Sequence, residues 1–388
     1  MTFTVAHIST YKPTQCGIAS YTEDLVRSLR GCRQAVVAVD YGRRARAAVE
    51  PPVVAGIALQ SRAAYLEAAR QINAGPVDVV SLQHEFGIFG GPHGAHVLEL
   101  ARALRKPLVT TLHTVSPEIE PARATLLDEL LARSARVVVL TEQSAEACRR
   151  LWPHHAGRVR VIPHGVPAVR FRLPHEVPLR RRLDADWVFV ASGHTWRHKG
   201  FHHALLALSL LQDEGVDFRF VILGAGQAQF GGSDDYEAGL QRLAAKLGLA
   251  DRVVRVREFL PQRRMLEWFQ AADAGLVTYT RATHNSSGTL PAILACGRPV
   301  VATRFEYTRA IAPTTPDLLL AELADPDDIA RRLRELVTHR RGLAARMRRA
   351  HRLMQWRTWP RTAAMYRAEF AAAIEGGAAA AAGIVYST

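Results

Sequence analysis

Cysteine and lysine are both scarce in this 388-residue chain, with four of each. The cysteines, Cys16, Cys32, Cys148 and Cys296, have no paired spacing. That excludes a disulfide scaffold or a zinc ribbon and fits a reducing compartment. No run of about 18 apolar residues occurs, so no membrane-spanning helix is expected. The opening MTFTVAHIST lacks a basic stretch followed by an apolar one, so no signal peptide is expected. The first strand-to-helix turn lacks G-x-G-x-x-G, which disfavours a nicotinamide or flavin dinucleotide.

Basic charge is abundant, at 50 Lys+Arg against 36 Asp+Glu and a formal net charge of +14. All but Lys12, Lys106, Lys199 and Lys246 are arginine. With the abundant alanine, this skew reads as a coding bias along the whole chain, so the net charge says little about nucleic acid. It also makes each lysine worth asking about, because the two cations differ chemically. Between Arg331 and Arg361 there are 11 arginines and one acid, Glu335, a local net of +10. Such a stretch is either a solvated helical face or a surface for an acidic partner, such as anionic lipid or a polyanionic glycan. No aromatic-interleaved basic motif accompanies it, so no nucleic-acid partner is expected.

A hydrophobic share of 48% is globular, and this length usually divides into two domains. Apolar strand-like runs at 3–8, 35–40, 77–82, 107–112, 137–140 and 159–162 alternate with helical periods at 17–29, 61–71, 92–104, 122–132 and 142–151. A proline-rich break follows. The alternation restarts with strands predicted at 187–191, 218–223, 253–256, 275–277 and 299–303 and helices at 201–211, 235–246, 261–271 and 289–296. Only helices are predicted after that, at 326–337, 341–354 and 359–374. The pattern is α/β, with two doubly wound parallel-sheet domains. The predicted division is an N-terminal domain 1–165, a linker 166–186, a second domain 187–355, a final helix 356–375 and a frayed tail 376–388. Ligands of such folds bind at the carboxyl ends of the strands, which predicts a site in a cleft between the domains.

Six stretches can carry chemistry. Residues 10–21, TYKPTQCGIASY, put Gly17 at a helix start after strand one, either an ordinary turn or an anion site built on free N–H groups. Gln83, His84 and Glu85 end another strand, ahead of a glycine- and phenylalanine-rich segment. Polar groups there are costly unless used, so this reads as a mobile binding loop. His113 ends a third strand, either as a core histidine or as a partner of His84 and Gly17 on the same sheet edge. Lys199 precedes Gly200 at a helix start, with Arg197 two residues earlier. A cation beside helix N–H groups is unfavourable unless an anion joins it, which points to phosphate. Residues 223–226, LGAG, form a glycine turn that includes Gly224. Finally, Ser286, Ser287, Gly288 and Thr289 precede an apolar helix, as plain caps or as donors to an anion.

In order and spacing these stretches resemble the retaining glycosyltransferases of family 4, which have the GT-B fold. The resemblance covers essentially the whole chain. It is carried by the Gly17 loop, Thr111 to His113, IPHGV at 162–166, the segment from Ser192 to Gly200, LGAG and ACGRPVVA at 295–302. The forms QCGIA, QHEFGIFGG and SSGTL are similar to one bacterial branch. The resemblance implies two Rossmann-like domains facing across a cleft, with C-terminal helices crossing back so that Trp356, Trp359 and Tyr366 dock on the first domain. It implies transfer of a hexose, with retention, from a nucleotide sugar such as GDP-mannose or UDP-hexose to a glycan or lipid-linked acceptor. No metal or other cofactor is implied. The setting implied is bacterial polysaccharide biosynthesis, in the cytoplasm or at the inner membrane face in contact with anionic lipid.

By the same resemblance, Lys199 holds the donor diphosphate, His113 faces the transferred sugar and the Gly17 loop closes over the diphosphate. Gly224, Ser286, Ser287, Gly288 and Thr289 belong to the donor side, and Gln83, His84 and Glu85 to the acceptor side. His194 stands where many members have an assisting arginine, a role Arg197 can take. Many members also carry two glutamates eight positions apart, on the donor sugar and its ribose. Here those positions are His284 and Ala292, and the SSGTL branch lacks the pair too. Two other readings share the fold: a nucleotide-sugar 2-epimerase, for which acid–base carboxylates are sparse, and a non-catalytic nucleotide-sugar sensor or subunit, suggested by His284 and Ala292. A basic nucleic-acid binder fits these motifs poorly.

Overall fold

The computed structural model describes residues 2–40, 51–224 and 234–384. The chain forms two compact units, Met1–Gly165 with Trp359–Thr388, and Val166–Thr358. The first holds β1 (Thr4–Ser9), α1 (Gly17–Ser28), β2 (Arg33–Asp40), β3 (Val53–Ala58), α2 (Arg62–Ala74), β4 (Val79–His84), α3 (Val97–Ala103), β5 (Leu108–Leu112), α4 (Pro121–Arg133), β6 (Arg136–Val139), α5 (Glu142–Leu151) and β7 (Val159–Val161). These strands make one parallel sheet in the order β3-β2-β1-β4-β5-β6-β7. Every residue of β1, β4 and β5 is buried, as expected of parallel strands covered on both faces. Helix starts are capped from the sequence: Cys16 Sγ accepts from Ala19 N at 3.3 Å, and Thr141 Oγ1 from Ser144 N at 3.1 Å.

The second unit holds β8 (Trp187–Ser192), α6 (Phe201–Asp213), β9 (Phe218–Leu223), α7 (Asp234–Lys246), β10 (Val253–Val256), α8 (Gln262–Ala271), β11 (Ala274–Val277), α9 (Thr289–Ala295), β12 (Val300–Thr303), α10 (Glu306–Ile311), β13 (Leu318–Ala321), α11 (Pro326–Thr338) and α12 (Leu343–Met354). Its parallel sheet runs β10-β9-β8-β11-β12-β13. In both sheets the strand order reverses once, between β1 and β4 and between β8 and β11. That is where doubly wound folds open a crevice for ligands.

Helix α13 (Trp359–Ile384) belongs to the first unit. It buries Trp359, Ala363, Tyr366, Phe370 and Ala373, spaced three or four apart, against Phe3, Val5, Tyr21, Leu25 and Val79. Gly165 is required beside it, because a Cβ there would lie 2.4 Å from the Trp359 ring. Two expectations change here. Trp356 does not join this stripe: it is 46% exposed, with the Arg357 guanidinium 4.5 Å from its ring centroid. Residues 376–384 are helical rather than frayed, in keeping with the helix propensity of alanine; residues 385–388 lie outside the described residues.

Other differences have local causes. The proline-rich stretch 166–186 is packed chain, with Val166, Val177 and Leu183 buried and Arg180 paired to Asp273 at 2.6 Å. The helix predicted at 92–104 is shortened, because Gly91 and His93, both at positive φ, make a separate turn before α3. The stretch after β12 is not helical only, since β13 intervenes. The arginine-rich stretch is partly compensated in space. Arg331, Arg332, Arg334, Arg340, Arg346 and Arg349 pair with Asp328, Glu335, Glu214, Asp186 and, for the last two, the fully buried Asp317. Among the described residues no helix is long and apolar enough to cross a membrane.

Candidate functional site

In the second unit the chain leaves β8, makes a tight turn at Arg197–Lys199 and enters α6 through Gly200, which has φ 67°. Only glycine fits there: a Cβ would lie 1.8 Å from the Thr278 carbonyl oxygen, just past β11. The turn is tied to that strand end. Thr278 Oγ1 donates to the Gly200 carbonyl at 2.9 Å, and Thr280 N donates to the His198 carbonyl at 3.0 Å.

Lys199 Nζ lies 3.8 Å from the Tyr279 ring centroid, a cation–π contact. Tyr279 stacks on Phe305 at 5.0 Å and meets His284 edge-on at 4.8 Å. Burial works against ionising the Tyr279 phenol. The Lys199 charge, with hydrogen bonding by Lys199, Ser287 and Thr289, outweighs it and holds the phenol below its ordinary value. Burial first, then Lys199, His198 and Arg281, push His284 down to about 3. Burial, Lys199, Arg281 and His194 push His198 down to about 4. Both imidazoles are therefore neutral acceptor–donors at pH 7.

Ser287 is buried, and its Oγ accepts from Leu290 N at 3.3 Å, so this hydroxyl serves the α9 start. Ser286, Gly288 and Thr289 flank it on the same segment. Ala292 is buried within the apolar α9. His194 stacks on the exposed Phe259, with centroids 6.4 Å apart. Gly224 has a packing reason of its own: a Cβ would lie 2.3 Å from the Gly193 carbonyl oxygen. Ala225 and Gly226 of that turn lie outside the described residues. An open pocket of about 420 Å³ is lined by Arg197, His198, His202, His203, Thr280 and Arg281.

In the first unit, the carboxyl ends of β4 and β5 join a buried polar chain. His113 Nε2 is 2.9 Å from Gln83 Oε1, and His113 N donates to the His84 carbonyl at 3.0 Å. Burial, then His164 and His84, push His113 down to about 3, so it is neutral. Tyr21 touches His113, His164 and Trp359 edge-on, at 4.8, 4.9 and 4.8 Å. Its hydroxyl is 2.8 Å from that of Tyr366, which is 3.0 Å from Thr111 Oγ1. Tyr366→Phe removes the hydroxyl shared by Tyr21 and Thr111, and should cost about 1–3 kcal/mol in urea unfolding. An unchanged midpoint would show that the buried chain contributes nothing to stability.

Glu85 accepts from Phe86 N at 3.0 Å and from Thr114 Oγ1, yet burial pushes its carboxyl above the usual range. His84 is different. Its ring is fully buried, 5.0 Å from Phe86 and stacked 5.9 Å from Phe89, and among the described residues neither nitrogen has a hydrogen-bond partner. Its surroundings are those of a core aromatic. The segment after it is not the mobile loop expected from sequence: Phe86, Ile88 and Phe89 are buried, and Gly90 N donates to the Tyr65 hydroxyl at 3.0 Å. Gly17 opens α1 with nothing among the described residues within 4 Å of where a Cβ would be, so their packing does not require glycine there.

Comparison with known proteins places these two switch points in a family. Residues 16–170 match the family model "Glycosyltransferase Family 4", and residues 185–339 match "Glycosyl transferases group 1". A D-inositol 3-phosphate glycosyltransferase of Geodermatophilus obscurus is 30% identical over 328 residues, covering 77% of this chain and 70% of that protein. The chain belongs to glycosyltransferase family 4. A second D-inositol 3-phosphate glycosyltransferase, from Streptosporangium roseum, is 29% identical over 60% of this chain and 56% of its own length. The chain thus spans between just over half and 70% of these family 4 relatives. Among solved structures, sucrose-phosphate synthase from Thermosynechococcus elongatus aligns with a TM-score of 0.75 at 17% identity, covering 95% of this chain and all of that one. Anabaena HepE in complex with UDP aligns with a TM-score of 0.75 at 15% identity, covering 96% of this chain and 100% of that one. Together with the two parallel sheets, these likenesses show the GT-B fold.

Within this family 4 chain, the second unit gathers Lys199, His284 and the Ser286–Thr289 segment, and the first gathers Gln83 and His113. Sequence reasoning missed Tyr21, His164, Tyr279, His202 and His203. The dense run HKGFHH behind Lys199 is the one signal that pointed to the last two. Asp128, His154 and His155 place three metal-ligand atoms within 4.8 Å of one another. They lie near the amino end of β7, opposite the strand ends that carry Gln83 and His113.

Proposed function

We propose that this family 4 protein is a hexosyltransferase. It moves a hexose from a nucleotide-diphosphate sugar to a glycan or lipid-linked acceptor, with retention and without a metal. The observation that carries this reading is Lys199, held over Tyr279 at the β8/β11 switch point by a turn that only Gly200 allows. Lysine there is a point charge for a departing diphosphate, and fixed charges aimed at developing charge are the main source of such catalysis. Two likenesses support a nucleotide sugar: the Anabaena HepE structures hold UDP and UDP-glucose, and the relatives are named as glycosyltransferases. The cluster around Lys199 offers neutral imidazoles in place of acid–base carboxylates, which favours transfer over epimerisation.

Arg197, His194 and the amides from Ser287 to Thr289 assist Lys199 on the donor. In the first unit, His113, oriented by Gln83, and Glu85 offer polar groups to sugar hydroxyls. No side chain is assigned as a covalent nucleophile. The acceptor hydroxyl attacks from the leaving-group face and passes its proton to the departing phosphate, while the sugar becomes oxocarbenium-like. The four free cysteines fit a cytoplasmic setting.

A thermal-shift panel of UDP, GDP and their sugars tests the donor reading, because a bound donor at 100 times its Kd stabilises the fold by about 2.7 kcal/mol. Transfer should persist in EDTA. Absence of a shift with every nucleotide, and of sugar release, would overturn the reading. Gly17→Ala sharpens it. Its Cβ enters open space, so stability should change by less than about 0.5 kcal/mol. If the donor phosphate approaches this helix start, KM for the donor should rise while the unfolding midpoint stays put.

A further inference from the structure

The chain leaves α5 through the buried Trp152, and Pro153, with no N–H to extend that helix, starts the tight stretch Pro153–Arg158 that leads into β7. His154 and His155 are consecutive there. At three residues per turn, neighbouring side chains point about 120° apart. These two converge instead. Both bring Nε2 to one atom, Asp128 Oδ1 on α4, at 2.9 and 3.2 Å, and their ring centroids lie 4.0 Å apart. The His155 side chain is only 7% exposed, and its backbone N donates to the Trp152 carbonyl at 3.0 Å, so one imidazole is fixed by packing. His154 and Asp128 face water, at 59% and 46%.

The charges around Asp128 are arranged to match. In this arginine-rich chain its neighbour Glu129 pairs with Arg102 at 2.6 Å, and Glu120 pairs with Arg123 at 3.4 Å. Among the described residues, no arginine or lysine pairs with Asp128. Arg158, in the same stretch as the histidines, points its Nη1 elsewhere, at the carbonyls of Leu131, Ala132 and Ser134 that end α4. One carboxylate therefore meets two imidazoles and no permanent cation. Hydrogen bonds at an exposed site return little for ordering three side chains. A divalent ion bonds all three and supplies the missing positive charge. Zinc–ligand distances of 2.0–2.2 Å put the ligand atoms of a tetrahedral ion about 3.3–3.6 Å apart. Here the three atoms lie within 4.8 Å of one another, so small rotations of the exposed His154 and Asp128 make the gap. Two imidazoles with one carboxylate suit zinc rather than magnesium or calcium, which take oxygen ligands. The exposed side gives an entry path and room for water in the fourth position.

We propose that Asp128, His154 and His155 bind one zinc ion, which staples the stretch before β7 to α4. The site lies away from the strand ends that carry Gln83 and His113, so the ion holds structure and takes no part in sugar transfer. The inference is independent of the donor reading above.

Calorimetric titration of the full chain, prepared without a histidine tag, with zinc chloride tests it. A zinc ion should bind this site, and it should raise the melting temperature. Asp128→Asn and His154→Ala change exposed side chains, so both variants should fold, with circular dichroism as the check. Each removes a ligand, and each should weaken that binding at least about tenfold, since even partners outside the ligand shell are worth 10–100-fold. The melting-temperature rise should vanish with it. Cobalt in place of zinc should give the visible absorption of a four-coordinate site in the wild type and lose it in both variants. Absence of zinc binding to the wild-type chain overturns the inference and leaves the cluster as two surface hydrogen bonds. Zinc binding that survives unchanged in both variants also overturns it, since the ion is then held elsewhere, as by His202 and His203, whose rings lie 4.1 Å apart in the second unit.

Discussion

Replacing Lys199 with alanine is expected to lower sugar transfer by about 10²–10³-fold, the usual cost of removing one group aimed at developing charge. The fold should not suffer. Lys199 is only partly buried, and its turn is held by backbone atoms, through Thr278 Oγ1 and Thr280 N, rather than by the ammonium. The change in stability should stay near the ±0.5 kcal/mol of an ordinary surface substitution. A separate readout comes from Tyr279. Lys199 holds its phenol below the ordinary value, so its ionisation should move upward in the variant, visible in ultraviolet titration. Lys199→Arg should recover little, because a planar fork does not replace a compact ammonium over the ring. Near-normal kcat/KM in the alanine variant would sink the assignment of this lysine to the diphosphate.

Lys199 and His113 are legible in the sequence for one reason: each is a chemically distinct side chain shortly after a fully buried strand. Strands β1, β4, β5 and β8 are buried at every position, and their apolar residues stand out in the sequence despite the polar ones among them. Strand β3 escapes because it alternates exposed and inward positions at the sheet edge, and β13 because its LLLA is made of good helix formers with no β-branched residue. What cannot be read locally is who meets whom. Tyr21 and Tyr366 share a hydrogen bond across 345 positions, and Tyr279 matters only because Lys199 folds over it. The same limit misdirects the reading of His84. A polar residue at a strand end reads as a ligand, but Phe86 and Phe89 enclose this one. The arginine count fails likewise, since most of the acids that offset it come from outside the stretch, as Asp317, Glu214 and Asp186 do.

Gly200→Ala should be the most damaging single-atom addition in the second unit. An L-residue at φ 67° costs about 1–2 kcal/mol before any contact is counted. The added Cβ would then sit 1.8 Å from the Thr278 carbonyl oxygen and 3.2 Å from Thr280 Cγ2. Side-chain rotation cannot relieve the first overlap, because that oxygen belongs to backbone directly after the buried β11. Relief requires moving either this strand end or the start of α6, which buries Phe201, Ala204 and Leu205. The total loss should reach about 3–5 kcal/mol, read as a lowered urea midpoint. In any molecules that still fold, the displaced turn carries Lys199 and His198 with it, so donor affinity should fall as well. The contrast with Gly17→Ala is the control. Both changes add one methyl at a helix start, but only one meets backbone. If Gly200→Ala matched Gly17→Ala in stability and still bound nucleotide normally, the packed junction that positions Lys199 would not exist as described.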